Sequence, residues 1–339
     1  MNVLVTGGCG FIGSNLVKYL RKNRPAWKVV NLDKLTYAGN LENLKDLESD
    51  PGHVFVRGDI GNRELVDHLI RQHKIDGIMH LAAESHVDRS ILGPEAFIVT
   101  NVLGTNVLLE AARHAKIARF LMVSTDEVYG SLGPTGAFTE TTPLDPSSPY
   151  SSSKASADLI TLAYEHTFGL DVVVTRCSNN YGPWQFPEKL IPLMVANALQ
   201  DKPLPVYGQG TNVRDWLQVE DHCSALTLAL EKGKKGAVYN IGGNSERQNI
   251  QIVKAILELL NKPQSLIKYV TDRPGHDLRY AIDATKIRKD LGWTPSHTFE
   301  KGLEDTVKWY IDNRAWWERV MSGAYRQYFD SQYAARLKS

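Results

Sequence analysis

The sequence predicts an α/β protein built on a doubly wound parallel sheet, with a smaller and mostly C-terminal second lobe. Apolar runs of strand length alternate with amphipathic helical segments through the first half of the chain. This alternation is typical of a parallel sheet covered by helices on both faces. A glycine-rich turn follows the first strand directly, and beyond residue 177 the chain becomes richer in Pro, Gly, Asn and aromatic residues. The first feature indicates a ligand-binding turn, and the second indicates a change of architecture.

Bulk composition limits the classes of partner. The chain has 339 residues, 42% of them hydrophobic, and a formal net charge of +1. This length suffices for two domains or one large α/β unit. Near-neutral charge argues against nucleic acid or an anionic membrane as the main partner, and no apolar run approaches the roughly 18 residues of a membrane span.

Cysteine usage and the N-terminus predict a cytoplasmic protein. Cys9, Cys177 and Cys223 are far apart, form no C-x-x-C unit and leave an odd cysteine over. This pattern favours reduced, buried thiols. The first strand begins at residue 2 with no signal peptide before it, so we expect no secretion.

The glycine-rich turn predicts a Rossmann-type nucleotide site. A strand at residues 2–5 runs into residues 6–13 (TGGCGFIG), and Gly7, Gly10 and Gly13 are spaced three and three. Glycine permits the tight turn, lets the backbone approach a pyrophosphate, and lets the following helix pack close to the strand. The helix N-terminus then presents N–H groups to the phosphates.

The second strand supplies the signal for the type of dinucleotide. It spans residues 28–32 and ends in Asp33. A carboxylate here binds the adenosine ribose hydroxyls and repels a 2′-phosphate, so NAD is favoured over NADP. The neighbouring cation, Lys34, leaves NADP open.

Further elements continue the alternation. The hydrophobic pattern predicts strands at residues 54–60, 77–83, 120–123 and 172–176, and helices at about 14–22, 63–73, 95–115 and 150–168. Asp59, in the third strand, is a candidate for contact with the adenine. Segments 179–184 and 203–208 indicate a loop-built second lobe, followed by helices at 219–230, 250–260 and 303–313. Residues 309–333 are aromatic-rich, and we expect them to be helical and packed.

These patterns divide the chain in two. We assign residues 1–178, with a returning segment at about 214–240, to an NAD-binding domain. Residues 179–213 and 241–339 then form the second lobe.

The stretch from residue 120 to 154 carries the candidate catalytic groups. A buried strand ends in Thr125, Asp126 and Glu127, and Tyr150 and Lys154 are four residues apart on one helix face. A tyrosine, with a pKa of about 10, acts as a base near neutral pH only if its phenolate is stabilised. Lys154 and a nicotinamide cation would supply positive charge for that purpose. Such a Tyr/Lys pair is common by chance, but beside the Thr-Asp-Glu cluster and the nucleotide turn it predicts catalysis.

With these motifs the sequence resembles the extended short-chain dehydrogenases/reductases that act on nucleotide sugars, and within them the dTDP-glucose 4,6-dehydratases. The resemblance runs from residue 1 to at least residue 310. It rests on residues 6–13, 81–88 (LAAESHVD), 124–130 (STDEVYG), 150–154 (YSSSK), 177–183 (CSNNYGP), 186–192 (FPEKLIP), 214–216 (RDW) and 272–277 (DRPGHD). The first and fourth motifs are shared with the wider superfamily, whereas the Thr-Asp-Glu triplet and the later motifs are specific to the dehydratases.

The resemblance implies a three-step reaction. Enzymes of this family oxidise a hexose at carbon 4, eliminate water across carbons 5 and 6, and return the hydride to carbon 6, so that NAD is regenerated. Tyr150, Lys154 and Thr125 serve the 4-hydroxyl, Glu127 is the candidate base for the carbon 5 proton, and Asp126 is the candidate acid for the 6-hydroxyl. Asp126 must then be neutral and Glu127 ionised. Neighbouring residues on a strand face opposite ways, so the strand must end near Ser124 if Asp126 and Glu127 are to share a pocket.

The resemblance also implies binding residues for NAD and for a nucleotide sugar. Expected NAD contacts are Gly7, Gly10, Phe11, Ile12, Gly13, Asp33, Lys34, Leu35, Thr36, Asp59, Ile60, Leu81, Ala82, Ala83, Ser85, Thr100, Tyr150, Lys154 and Asn180. Expected substrate contacts are Ser85, Thr125, Asn179, Lys189, Leu190, Pro205, Tyr207, Arg214, Asn249, Asp272, Arg273 and His276. Lys189 and Arg214 suit a diphosphate as charge-assisted donors, although without the resemblance they are equally well read as surface cations. The histidines lack metal-ligand spacing, so no metal is expected.

Three alternatives stay open. The chain could be a UDP-glucose 4,6-dehydratase, another epimerase or decarboxylase of the same fold, or a catalytically silent NAD-binding protein. Epimerases need no acid/base pair beside the threonine, and silent relatives usually lose the tyrosine or the lysine. The sequence does not separate thymine from uracil nucleotides, and a homodimer is what the family implies.

Overall fold

The computed structural model describes residues 1–272 and 276–322. The strands are β1 Asn2–Thr6, β2 Lys28–Asp33, β3 His53–Arg57, β4 Gly77–His80, β5 Arg119–Thr125, β6 Val172–Cys177, β7 Asn179–Tyr181, β8 Leu204–Tyr207, β9 Val213–Gln218, β10 Val238–Ile241, β11 Glu246–Gln248 and β12 Ile267–Val270. The α-helices are α1 Phe11–Asn23, α2 Arg63–His73, α3 Val87–Leu92, α4 Glu95–Phe97, α5 Thr105–Ala115, α6 Pro149–Phe168, α7 Leu190–Leu199, α8 Val219–Lys232, α9 Asn249–Leu259, α10 Thr285–Leu291, α11 Phe299–Asp312 and α12 Arg314–Val320. Three-ten turns occupy Leu41–Leu47, Asp126–Tyr129 and Gln264–Leu266, and a π-helical segment occupies Ile98–Gly104.

The central sheet confirms the predicted fold class. Its seven strands lie in the order β10-β6-β5-β4-β1-β2-β3, and every neighbouring pair is parallel. From β1 the chain adds β2 and β3 on one side and then β4, β5 and β6 on the other, so the strand order reverses between β1 and β4. In doubly wound sheets, ligands bind at the carboxyl ends of the strands beside such a switch point.

Strand residues alternate between two apolar cores, one on each face of the sheet. Val3 and Val5 of β1 pack into one core, and Leu4 between them packs into the other. In β6, Val173 faces the first core and Val172 and Val174 face the second. Both faces are covered, so these strands are continuously apolar rather than alternating in sequence.

Several predicted element ends were wrong. β3 ends at Arg57 and β4 at His80, three residues before the predicted ends, because the following residues leave the sheet to line a cavity. Helix α1 begins at Phe11, directly after the glycine turn. The helix predicted at residues 95–115 is interrupted by the π-helical segment.

The second lobe is not loop-built as predicted. It contains a three-stranded sheet in the order β11-β9-β7 and a β8–β12 pair, which pack with α7, α9, α11 and α12 around Trp216, Ile252, Leu303 and Trp317. Helix α7 has buried residues on all its faces, from Ile191 to Ala198. Such a helix lacks the polar stripe by which periodicity detects helices, and its neighbouring strands are short.

The domain division stays a prediction. The returning helix α8 packs on the central sheet through Cys223, Leu226 and Leu230. Ile287 and Trp293, in the segment assigned to the second lobe, also join that core. Of the residues predicted to form an aromatic C-terminal helix, those beyond 322 lie outside the described part of the chain. No helix in residues 1–272 and 276–322 is long and apolar enough to cross a membrane.

Candidate active site

A cavity of about 300 Å³ opens at the carboxyl ends of the central strands. Its wall combines the turns that follow six strands, β1 to β6, with residues 185, 186, 188 and 189 of the second lobe. A volume of this order suits a ligand of cofactor size. The site is therefore assembled at the switch point of the sheet.

The glycine turn fits a dinucleotide. Gly7 has a φ of +74°, and a Cβ there would lie 2.7 Å from the Ala82 nitrogen. A Cβ on Gly13 would lie 2.0 Å from the Gly7 carbonyl oxygen, so α1 rests directly on the turn. Within the described residues, no side-chain hydrogen bond caps α1 at Gly10. A phosphate is the expected occupant of such a cradle.

Asp33 ties the cradle together. One of its carboxylate oxygens accepts from the Cys9 backbone at 2.8 Å, and the other accepts from the Leu35 backbone at 2.7 Å. Burial raises the pKa of Asp33, and these two backbone bonds act against that rise. Each oxygen retains a lone pair for a ribose hydroxyl.

Lys34 forms an ion pair with Asp59, with its Nζ 2.7 Å from the Asp59 carboxylate. Lys34, the cation that made NADP a possible cofactor in the sequence analysis, is therefore paired with an acidic residue. Asp33, Lys34 and Asp59 all line the cavity.

The Thr-Asp-Glu cluster lies where the chain leaves the sheet. Strand β5 ends at Thr125 and a three-ten turn, Asp126–Tyr129, follows at once, so the geometric condition set by the sequence is met. The Thr125 hydroxyl accepts from the Glu127 backbone at 3.3 Å and donates to Asp126 Oδ1 at 3.4 Å. All three residues line the cavity together with Tyr150.

The environment of Asp126 favours its neutral form. This side chain is only 2% exposed, and its Oδ2 has no hydrogen-bond partner among the described residues. Burial, first, and then the charges of Glu127 and Asp215 raise the pKa of Asp126 well above its ordinary value, while Arg214 acts in the opposite direction. Burial of this kind favours the protonated form of a carboxyl group.

Tyr150 and Lys154 line the same cavity. Lys154 Nζ donates to the Val123 carbonyl at 2.8 Å, and burial lowers the pKa of Lys154 to about 8. Burial and the charge of Glu127 raise the pKa of Tyr150 well above 10, against a hydrogen bond with Thr125. The chain by itself thus holds the phenol neutral, and ionisation calls for an added positive charge.

Most predicted NAD contacts line the cavity. The exception is Leu35, whose backbone bonds to Asp33 but which is not part of the wall. Of the predicted substrate contacts, four line it: Ser85, Thr125, Asn179 and Lys189. Arg273 lies outside the described residues.

The other predicted substrate residues lie in the second lobe. The rings of Tyr207 and His276 meet edge to face at 6.0 Å, and His276 Nδ1 lies 2.6 Å from Asp272. Arg214 is buried, stacks 4.3 Å above the Tyr280 ring and donates to the Asp277 carbonyl. Leu190 begins α7, Pro205 lies in β8 and Asn249 begins α9. None of these seven residues forms part of the described cavity wall, so their substrate role stays a prediction.

A further group at the cavity was not found from the sequence. Glu188 is buried, accepts from the Tyr37 hydroxyl at 2.9 Å and from Arg89 Nε at 3.1 Å, and Arg89 stacks 3.8 Å above the Tyr37 ring. Glu188 belongs to the motif at residues 186–192, which was a signal for it. Its partners come from distant parts of the chain, so no sequence spacing predicts the group.

Comparisons with known proteins agree with this geometry. The family described as GDP-mannose 4,6 dehydratase matches residues 4–306. The chain is similar to a dTDP-glucose 4,6-dehydratase of Xanthomonas campestris pv. campestris, with 57% identity over 95% of this chain and 97% of the relative. Among solved structures it is similar to a Bacillus anthracis dTDP-glucose 4,6-dehydratase in complex with NAD, with 54% identity, a TM-score of 0.90, and coverage of 94% of this chain and 99% of that one. A UDP-glucose 4-epimerase of Thermotoga maritima is similar at 31% identity and a TM-score of 0.87, over 93% of this chain and all of that one.

Proposed function

The chain belongs to the dTDP-glucose 4,6-dehydratase family, and from this premise we propose that it is a hydro-lyase that converts dTDP-glucose to dTDP-4-keto-6-deoxyglucose and water. The observation that carries the proposal is the cluster of Thr125, Asp126, Glu127 and Tyr150 on one cavity wall. A dehydrogenase that only moves hydride has no use for the two carboxyl groups. An elimination requires both an acid and a base.

NAD is the cofactor that the cradle fits. Gly7, Gly10 and Gly13 would hold its pyrophosphate and Asp33 its adenosine ribose. When bound, NAD supplies a positively charged ring that accepts the carbon 4 hydride and later returns it to carbon 6. The Lys34–Asp59 ion pair favours NAD over NADP, because the cation is already neutralised.

Tyr150 removes the 4-hydroxyl proton as carbon 4 becomes a ketone. The Thr125 hydroxyl hydrogen-bonds the same oxygen and holds it in place. Lys154, buried and anchored on the Val123 carbonyl, adds positive charge that stabilises the phenolate form in which Tyr150 acts as the base. The resulting ketone acidifies the proton on carbon 5.

Glu127 and Asp126 then eliminate water. Glu127 takes the carbon 5 proton, and the electron pair of that carbon–hydrogen bond forms the double bond between carbons 5 and 6. The carbon 6–oxygen bond breaks as Asp126 gives its proton to the leaving hydroxyl, so water departs. Burial, which raises the pKa of Asp126 and so favours its protonated form, suits it to this step. Glu127 returns its proton to carbon 5 as carbon 6 receives hydride.

Both the site and the similarity favour the dehydratase over an epimerase. A 4-epimerase oxidises carbon 4 and then reduces the same carbon again. It needs no acid for carbon 6, so the buried Asp126 would have no role. The identity to the dehydratases is also well above that to the epimerase. We propose a thymine rather than a uracil nucleotide as the substrate, because the similar enzymes are dTDP-glucose dehydratases.

A homodimer is part of the proposal. Seven large apolar side chains with 46–71% exposure lie on neighbouring elements from α3 to α6, namely Ile91, Leu92, Ile98, Val99, Leu103, Leu159 and Phe168. Exposed apolar clusters of this kind mark association surfaces, and we assign this one to a second copy of the chain. The three free, buried cysteines support a cytoplasmic location.

The proposal is tested by incubating the protein with dTDP-glucose and UDP-glucose in parallel, following the alkali-induced absorbance of the 4-keto-6-deoxy product. We expect product from dTDP-glucose and little from UDP-glucose. The Glu127→Gln variant should reduce its bound NAD on addition of dTDP-glucose, seen in the NADH absorbance band, yet lose product formation by at least about a hundredfold.

Glu304→Gln, at an exposed glutamate of α11, serves as the control and should behave as wild type. Deoxy product made by Glu127→Gln at the normal rate would refute the assignment of the base. Interconversion of glucose and galactose nucleotides by the wild type would establish an epimerase instead.

A further inference from the structure

Three buried polar side chains that no step of the reaction uses lie behind the catalytic turn. They are Tyr129, Asp158 and Arg176, which are 2%, 0% and 3% exposed. We refer to them as the Tyr129–Arg176–Asp158 network. Polar groups buried this deeply need a reason, because each loses its hydration on folding.

Short hydrogen bonds join the three residues. Arg176 Nε donates to Asp158 Oδ2 at 2.8 Å, and Arg176 Nη1 donates to the Tyr129 hydroxyl at 2.9 Å. The Tyr129 hydroxyl in turn donates to Asn240 Oδ1 at 2.8 Å. The Arg176 guanidinium also lies 4.8 Å from the centre of the Tyr129 ring.

Each member belongs to an element that carries a reacting group. Tyr129 closes the three-ten turn that begins with Asp126 and Glu127. Asp158 lies one helical turn beyond Lys154 in α6, the helix that also carries Tyr150. Arg176 lies in β6 and pairs in register with Ser124, beside Thr125. The network therefore connects the carboxyl pair of the elimination to the Tyr/Lys pair of hydride transfer.

Apolar packing of Val128 and Tyr129 against Phe138 holds the turn, as does a 3.1 Å bond from the Asp145 backbone to the Val128 carbonyl. The turn's own bonds are long: 3.3 Å from the Glu127 backbone to Thr125, and 3.4 Å from the Gly130 backbone to the Glu127 carbonyl. Three-ten turns are intrinsically poor in hydrogen-bond geometry. The network bonds are shorter, and those of Arg176 are charge-assisted, which makes them the stronger restraint.

Stability alone does not account for the buried ion pair. Replacing such a pair with apolar residues is often neutral or stabilising, because desolvation offsets the Coulombic gain. The charge of Asp158 also opposes the fall in the Lys154 pKa that burial causes. A directional set of bonds fixes geometry in a way that apolar packing does not.

We propose that the Tyr129–Arg176–Asp158 network is a positioning device for the dehydration step, which sets Asp126 and Glu127 against the sugar that Tyr150 and Lys154 have oxidised. This rests on the proposed function. Tyr129, Arg176 and Asp158 touch no substrate in this scheme and act through the turn. Loss of the hydrogen bond between Tyr129 and Arg176 should therefore impair elimination and spare the first hydride transfer.

The test is Tyr129→Phe, which removes one hydroxyl and retains the ring that stacks on Phe138. With dTDP-glucose, the rate at which bound NADH first appears should stay within about threefold of wild type. Product formation, and exchange of the carbon 5 proton with deuterated water, should slow roughly ten- to a hundredfold, as expected when acid and base are displaced. NADH then accumulates during turnover.

Tyr239→Phe is the matched control, since Tyr239 is also buried but its hydroxyl bonds to Lys234 and Asp290, away from the turn. It should leave the ratio of the two half-reactions unchanged. Equal slowing of both half-reactions by Tyr129→Phe, or slowing of neither, would overturn the proposal. If Tyr129→Phe does not fold, Arg176→Lys carries the same test with the same outcomes, because lysine keeps the charge but not the fork that reaches two partners. A wild type inactive on dTDP-glucose would count against the proposed function instead.

Discussion

At the scale of single residues, the chemistry depends on how the environment separates two adjacent carboxyl groups. Asp126 is buried, with one oxygen lacking a partner among the described residues, whereas Glu127 next to it is only partly buried. The Asp215 carboxylate, held by the Gly243 and Ser245 backbone, adds negative charge near Asp126. In our proposal, the raised pKa of Asp126 suits it to the role of acid beside Glu127 as the base.

The raised pKa of Asp126 predicts that the stability of the folded protein depends on pH. The pKa of Asp126 is raised in the folded protein, so stability from this group is fully present below about pH 4, its unfolded pKa, and is lost as pH rises towards the folded pKa. Asp126→Asn removes that loss. We expect its Tm to exceed that of wild type at pH 8 and the difference to vanish near pH 4, in calorimetry across pH, while product formation falls at least about a hundredfold. A gap that widens towards acid pH would contradict the raised pKa.

At the scale of secondary-structure elements, the cofactor cradle depends on a helix that packs directly on a turn. Gly13 in α1 leaves no room for a Cβ above the Gly7 carbonyl, and Asp33 at the end of β2 fixes the turn through the Cys9 backbone. The π-helical segment Ile98–Gly104 brings Thr100 to the cavity wall. Departures from regular geometry thus occur where elements meet the ligand.

Gly13→Ala should therefore disrupt the packing of α1 on the glycine turn that binds the cofactor. Overpacking typically costs about 1–3 kcal/mol, and the 2.0 Å approach to backbone puts this position at the upper end, against about 1 kcal/mol gained in helix propensity. We expect a Tm lower by several degrees and less NAD retained through purification, measured after denaturing release. Gly133→Ala, where a Cβ would meet nothing within 4 Å, should change neither quantity. Full NAD content in Gly13→Ala would show that the close packing is not required.

At the scale of the whole molecule, two lobes meet over one cavity, and a separate apolar face is left on the outside. The cavity wall takes residues from the central sheet and from the 185–189 segment of the second lobe. The outer face around α6 and the π-helical segment exposes Leu103 and Leu159 at 57% and 58%. In our proposal, the cavity between the lobes serves catalysis and the outer apolar face joins two copies of the chain.

Charges on that outer face should dissociate the dimer. We expect wild type to sediment as a dimer and the double variant Leu103→Glu/Leu159→Glu to sediment as a monomer, with Kd weakened by at least about a hundredfold, or about 2.7 kcal/mol. Ile311→Glu, at a comparably exposed position of α11, should remain dimeric. A double variant that sediments like wild type would place any interface elsewhere.

Much of the fold could be predicted from the sequence because its signals are local. Gly7 and Gly13 identified the nucleotide turn, Asp33 ended the second strand as expected, and Tyr150 and Lys154 lie in one helix. Helix α7 escaped prediction because its residues are buried on every face. The group formed by Tyr37, Arg89 and Glu188 escaped because its members are far apart in the chain.

The sequence by itself determined the α/β alternation, the dinucleotide turn and the identity of the candidate acid, base and tyrosine, because these follow from residue types at short spacings. Only the tertiary structure decided the environment of each group. It buried Asp126 near Asp215, turned Lys154 onto the Val123 carbonyl, and joined Tyr129 to Arg176 and Asp158. The physical reason is that desolvation, charge and hydrogen bonding act through space between residues that the chain order keeps apart.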